Sequence, residues 1–279
     1  MTNDEWVTGN VAVTIAGVPL EMQMTVPAKP VKAHRMLPVF QQMANALVDV
    51  SVQALEGEGK AISCKAGCGA CCRQPVPISE TEVYQIAELV EAMPEPRRSE
   101  IKRKFADGVA HFEKIGWFDR LNKHHGTGKA ATNPDELQEA IGVVLDYFYE
   151  GVACPFLENE SCSIHLNRPV SCREYLVTSP AENCSKPSAQ TVNVVELLIK
   201  PSRTVRATGS TGRLASAGFL TLIRALDLAE KVPETFVEKT GERWMADFFG
   251  HLAQTPIPKK GIRPPKAKPA IPRPKRKKR

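Results

Sequence analysis

Apolar residues recur along this chain with two different periods. "NVAVTI" and "PLEMQMTV" alternate apolar with polar around Ala16–Gly17, which predicts a β-hairpin. From about Lys32 the period lengthens. Met36, Phe40, Met43, Leu47, Val50 and Ala54 recur at helical spacing to about Glu56, with Pro38 acceptable in the first turn. Gly57 and Gly59 end that helix. A second helix opens at Ser79, where Glu82 stands three residues on as a capping box, and its apolar face is Val83, Ile86, Leu89, Val90 and Met93. Pro94 and Pro96 stop it. A third, about 97–115, uses Ile101, Phe105, Val109 and Phe112. Residues 116–132 read as a polar loop. A fourth helix starts at Asn133–Pro134 and is expected to bury Leu137, Ile141, Val144, Leu145 and Phe148. "TVNVVELLIK" (191–200) reads as a strand or buried segment, and two further helices are expected near 213–230 and 233–253. The fold class is therefore mainly α, α+β at most. It is a helical domain with two metal-binding cysteine loops, a small N-terminal hairpin and a tail.

Composition changes the picture at the two ends. The chain of 279 residues carries a net charge of +6, but residues 256–279 alone hold eleven Lys or Arg and no acid. Removing that segment leaves −5 on residues 1–255. Its seven prolines and mutual charge repulsion predict a disordered or extended basic arm, suited to nucleic acid or an anionic surface. The start, "MTNDEWVTGNVAVTI", has acids where a secretion signal needs bases, and no run approaches the ~20 apolar residues of a membrane helix. A cytoplasmic protein is expected, with no membrane span and no identified protein partner.

Eight cysteines then dominate the chemistry. They fall into two groups, Cys64, Cys68, Cys71, Cys72 and Cys154, Cys162, Cys172, Cys184. In a reducing compartment such clusters favour metal over disulfide. Gly67 and Gly69 flank Cys68 and permit a tight loop whose N–H groups approach the sulfurs. Arg73, Arg168 and Arg173 could offset thiolate charge, although each alone reads better as a surface cation. Neither zinc nor a cubane needs more than four thiolates, so eight serve two sites or one with spare ligands. The adjacent Cys71 and Cys72 point different ways and suit a larger cluster, or two metals, better than one zinc ion. The C-x3-C-x2-C run of Cys64, Cys68 and Cys71 suits one face of a cubane, whereas zinc knuckles use two C-x2-C pairs and only Cys68 and Cys71 form one here. An iron–sulfur cluster is favoured over zinc. Cys184, in "ENCSKP", reads as the outlying member, and His165, three residues after Cys162, as a support rather than a ligand.

The same C-x3-C-x2-C spacing occurs in radical S-adenosylmethionine enzymes. There an aromatic residue usually precedes the last cysteine; here it is Ala70, and no alternating strands follow. "TGSTGR" (208–213) lacks the ending of a phosphate loop, and His124–His125 reads as a solvated pair. No residue is assigned a catalytic role.

The full pattern, "CKAGCGACCR" and then "CPFLENESCSIHLNRPVSCREY", resembles the YkgJ-type cysteine-cluster family, the CxxCxxCC domain held to chelate zinc or iron. The resemblance implies metal chelation and a bacterial protein, without a settled reaction. Flagellin lysine-N-methylases share a similar cysteine pattern, which makes protein-lysine methyl transfer a remote alternative. No glycine-rich strand–helix turn supports it. The segments expected are a hairpin (1–32), a cysteine-cluster domain (33–190), a C-terminal strand and helices packing on it (191–254) and the basic tail (255–279). The remaining alternative is a structural zinc module that associates with nucleic acid through that tail.

Overall fold

The computed structural model describes residues 5–15, 18–125, 133–188, 190–214 and 220–254. The alternating N-terminal stretch pairs with itself. β1 (Trp6–Ile15) runs antiparallel to β2 (Val18–Pro27), with Trp6 opposite Pro27 and Ile15 opposite Val18. Met24 and Val26 of β2 are buried in the core, and Val11 and Val13 of β1 with Leu20 and Met22 of β2 pack against it. The turn at Ala16–Gly17 and the basic segment 255–279 lie outside the described residues, and so does the expectation of disorder made for the latter.

A short 3-10 turn, Ala33–Met36, leads into α1 (Leu37–Gly57). Its predicted stripe, Met36 through Ala54, is buried. α2 (Glu80–Glu91) opens with the predicted capping box: Ser79 Oγ accepts from Glu82 N, and the Glu82 carboxylate accepts from Ser79 N. α3 (Arg97–Lys114) follows, then α4 (Trp117–His125), α5 (Pro134–Tyr149), a two-residue ribbon of β3 (Leu157–Glu158) with β4 (Ser161–Cys162), and α6 (Val170–Glu174). α7 (Pro201–Thr208), α8 (Ala225–Lys231) and α9 (Gly241–Gln254) complete a mainly α molecule. One core runs from β2 through α1, α2 and α3 to α9, where Phe40 stacks on Phe248 at 5.3 Å. Among the described residues no helix is long and apolar enough to cross a membrane.

The sequence reading fails where packing overrode pattern. The supposed loop from 116 begins with α4, because Trp117, Phe118 and Leu121 close on Phe112 and Tyr147 as a separate aromatic cluster. Phe112 and Tyr147 stack at 4.1 Å, and Trp117 Nε1 donates to Val143 O at 2.8 Å. That cluster also turns α5. Ala140, Val143, Tyr147 and Phe148 face inward, while Leu137 and Ile141 are 53% and 43% exposed. His124 and His125 pack towards α5, against Glu139 and Ala140 O. Residues 191–200 are an irregular segment in which Val195, Leu197, Leu198 and Ile199 are buried and Val194 is exposed, held by a Val177–Val194 bridge and by bonds such as Val195 N to Leu176 O. α7 was not foreseen. The helix expected at 213–230 is reduced, among the described residues, to a 3-10 turn (Leu222–Arg224) and α8.

His34 gives the fold a pH dependence. It is buried, its Nε2 lies 3.0 Å from Glu88 Oε1, and Nδ1 finds no partner among the described residues. Burial holds its pKa below 6.5; Arg35 acts the same way, and Glu88 and Glu234 oppose. As the pH falls below 6.5 the unfolded chain binds a proton that the folded chain refuses, so stability declines until the lowered folded pKa is passed. Thermal unfolding at pH 7.0 and 5.5 should show a larger fall in Tm for the natural protein than for His34→Gln. Equal falls would remove His34 from the account.

Candidate metal centre

The first cysteine loop follows α1 and folds on itself through local backbone bonds. Cys68 N donates to Lys65 O (3.2 Å) and Cys72 N to Gly69 O (2.9 Å), the latter within a 3-10 turn over Ala70–Arg73. Gly67 adopts φ +78°, a left-handed conformation that side-chain-bearing residues rarely adopt. Gly69 is needed for space instead. A Cβ there would lie 2.6 Å from Leu157 Cδ1 and 3.0 Å from Glu160 Cα, because the β3–β4 ribbon crosses directly over it.

The chain between the two groups returns to this loop. Cys154 N donates to Cys72 O at 2.7 Å, Ser63 N donates to Val177 O at 2.9 Å, and Ser63 Oγ to Thr178 O at 3.1 Å. Arg73 grips Glu160 with both terminal nitrogens, Nη2 at 2.7 Å and Nη1 at 3.2 Å. Its role is thus to join the loops, not only to supply charge. Seven of the thiols are half-buried and Cys184 is buried.

Electrostatics map how the thiols neighbour one another. Burial pushes Cys64, Cys162 and Cys172 up, Cys184 to about 11 and Cys154 to about 12. A hydrogen bond with Cys72, then burial, drives Cys71 up further. Cys64 and Cys184 feel Cys68 and Cys71; Cys154 and Cys162 feel Cys71; Cys172 feels Cys154, Cys71 and Cys162. Cys71 is the hub of both groups. Cys184 is no outlier: the 3-10 turn Ala181–Ser185 packs against the turn that bears Cys71, and Cys184 hydrogen-bonds with Tyr175. Among the described residues, no three His, Cys, Asp or Glu side chains stand in an arrangement that could hold a metal ion as they are. The sulfurs are gathered but not closed on one point.

Two features fit a thiolate-bound metal. Arg168 lowers the pKa of Cys64, Cys71 and Cys162 through its charge, and its buried Nε has no acceptor among the described residues. A guanidinium donor left without a partner beside three thiols matches an anionic sulfur site. Its Nη1 donates to His165 Nε2 at 2.6 Å, so that ring nitrogen is an acceptor already engaged, in keeping with a supporting residue.

A buried polar frame holds the second group. Glu82 Oε1 accepts from Val170 N at 2.7 Å, while Oε2 accepts from Ser79 N and Oγ at 2.7 and 2.8 Å. Arg173 donates to Asn45 Oδ1, Leu166 O and Arg168 O, and Gln41 Nε2 donates to Arg168 O. Glu174 accepts from Ser202 N and, at 2.7 Å, Ser202 Oγ. Sequence reasoning treated Glu82 only as a cap and missed Gln41, Asn45, Glu160, Glu174 and Tyr175 altogether. Nothing in the spacing of "CREY" (172–175) points to a tyrosine turned towards a thiol. A surface cleft of about 730 Å³ between α2, α3 and α8 holds no cysteine and lies away from this chemistry. Another, of about 340 Å³, reaches Cys172.

A gathering of eight free thiols from two loops, backed by a guanidinium, defines a cysteine-cluster domain. Residues 63–191 match the model of the CxxCxxCC family, described as "Putative zinc- or iron-chelating domain". The match ends before α7, and α1, the hairpin and α7–α9 lie outside it. No curated protein and no solved structure matches the chain.

Proposed function

We propose that this chain is a metal-chelating protein whose cysteine loops hold an iron–sulfur cluster. The supporting observation is the backbone bond from Cys154 N to Cys72 O at 2.7 Å, which brings the second cysteine group against the adjacent pair Cys71 and Cys72 of the first. Cys71 and Cys72, expected to point apart, instead share a side-chain hydrogen bond; a polynuclear centre accepts such neighbouring sulfurs, whereas one zinc ion takes four ligands at tetrahedral corners. Cys64, Cys68, Cys71, Cys72, Cys154, Cys162, Cys172 and Cys184 form the ligand pool. When bound, the cluster would supply one-electron redox chemistry.

The residues of the chain have separable tasks. The Arg73–Glu160 pair and the Cys154–Cys72 backbone bond keep the loops together. Arg168 offers positive charge and a donor to sulfur, and Tyr175 offers a hydroxyl to Cys184. The thiols must lose protons and turn towards a common point on loading. The basic segment 256–279 would add a salt-sensitive contact to nucleic acid or another anionic surface.

Anaerobic purification with metal and sulfide analysis tests this reading. The protein should be brown, contain iron and inorganic sulfide, and bleach in air; Cys68→Ser or Cys71→Ser should remove most of the colour. His165→Gln should keep it. Stoichiometric zinc without iron or sulfide, in protein never exposed to air, would replace the cluster by a structural zinc site.

A further inference from the structure

The cleft of about 340 Å³ beside Cys172 has a composition that the cysteine chemistry does not explain. One wall is cationic. Lys200, Arg203 and Arg206 stand three residues apart, on one face of α7 and the residue that caps it, and all three are exposed. The helix turns its other side, Thr204, Val205 and Thr208, into the protein. Among the described residues neither Lys200 nor Arg203 is in an ion pair. The carboxylate that shares the cleft, Glu174, has both oxygens turned to Ser202.

Apolar side chains also line the cleft. Val76 and Leu197 are buried there, and Val194 is 53% exposed. Cys172 and Tyr175 also line the cleft, so anything bound lies beside the thiol cluster. Small-molecule sites are typically cavities of about 300–1,000 Å³ with an apolar lining and few polar groups. This cleft is at the lower end of that range.

We propose that the cleft binds a small organic anion, with its carboxylate or phosphate head on Lys200, Arg203 and Arg206 and an apolar body against Val76, Val194 and Leu197. The ligand is thereby placed at the edge of the metal centre. The proposal rests on the metal reading only for what Cys172 would bring to that ligand; binding itself does not depend on metal.

Titration calorimetry on the full-length protein at fixed ionic strength tests it, with benzoate, phenyl phosphate, inorganic phosphate and benzamide as probes. Benzoate or phenyl phosphate should bind saturably at one site, and whichever binds tighter identifies the head group. Benzamide, of the same shape without charge, should not bind. The double variant K200Q/R203Q should weaken the anion at least tenfold. Val194→Ser should weaken the aromatic anions and leave inorganic phosphate unchanged. No saturable binding by the natural protein overturns the proposal. So does equal binding by K200Q/R203Q, which would place the anion elsewhere, the eleven basic residues of 256–279 being the obvious site. Inorganic phosphate binding as tightly as phenyl phosphate would overturn the apolar half. Metal content of the same samples is measured in parallel, so failure of the anion site and failure of the metal site are read separately.

Discussion

Glu82→Ala should be among the most destabilising single changes in the molecule. The side chain is 2% exposed and its two oxygens serve three donors, Ser79 N, Ser79 Oγ and Val170 N. Alanine would leave two backbone N–H groups and a hydroxyl buried without acceptors. Each orphaned group costs about 1–3 kcal/mol. A loss of about 3 kcal/mol or more is expected, roughly a 100-fold fall in the folding constant. Burial raises the pKa of Glu82, while the bonds from Ser79 and Val170 act in the opposite sense. Ser79→Ala removes only the hydroxyl and should cost about 1 kcal/mol, as for an ordinary N-cap. Equilibrium urea unfolding of the two variants separates the cases. If Glu82→Ala costs no more than Ser79→Ala, the bond to Val170 at the start of α6 contributes nothing, and Cys172 is held by other means.

The second large effect is expected at Gly69. Its φ of −96° is open to any residue, so the demand for glycine is one of space. A valine would push against Leu157 Cδ1, Glu160 Oε2 and the backbone of Glu160. Overpacking of this kind costs about 1–3 kcal/mol. The cheapest relief is for the β3–β4 ribbon to lift, which strains the Arg73–Glu160 pair and the Cys154–Cys72 bond that unite the two cysteine groups. Gly69→Val should therefore fold but lose most of its bound metal. Gly142→Ala, on α5 with nothing within 4 Å of the added Cβ, is the control and should retain it. The check is the metal-to-protein ratio in anaerobically purified samples, with circular dichroism to confirm folding. Full metal content in Gly69→Val would mean that close apposition of the loops is not needed for binding.

Much of the molecule is legible in the sequence because the relevant physics is local. The hairpin follows from alternation over residues 10–27, α1 from six apolar positions at helical spacing, and α2 from a cap and its partner three residues apart. The cysteine groups, and the resemblance that residues 63–191 bear to a cysteine-cluster family, are legible for the same reason: short spacings and flanking glycines act within one loop. What tertiary structure alone decided involves partners far apart in the chain. Trp117 and Phe118 became helical because Phe112 and Tyr147 offered an aromatic surface, and that surface chose which face of α5 was buried. Cys184 lies beside the first cysteine loop because the turn over Ala181–Ser185 packs on that over Ala70–Arg73, although its own spacing pattern is uninformative. Arg73 found Glu160 and Glu82 found Val170 across gaps of 87 and 88 residues. Residue type and spacing set which groups have metal-binding chemistry. The return of the chain after α5 set which of them meet, because loop closure is driven by burial of apolar surface elsewhere and leaves no local periodicity to read.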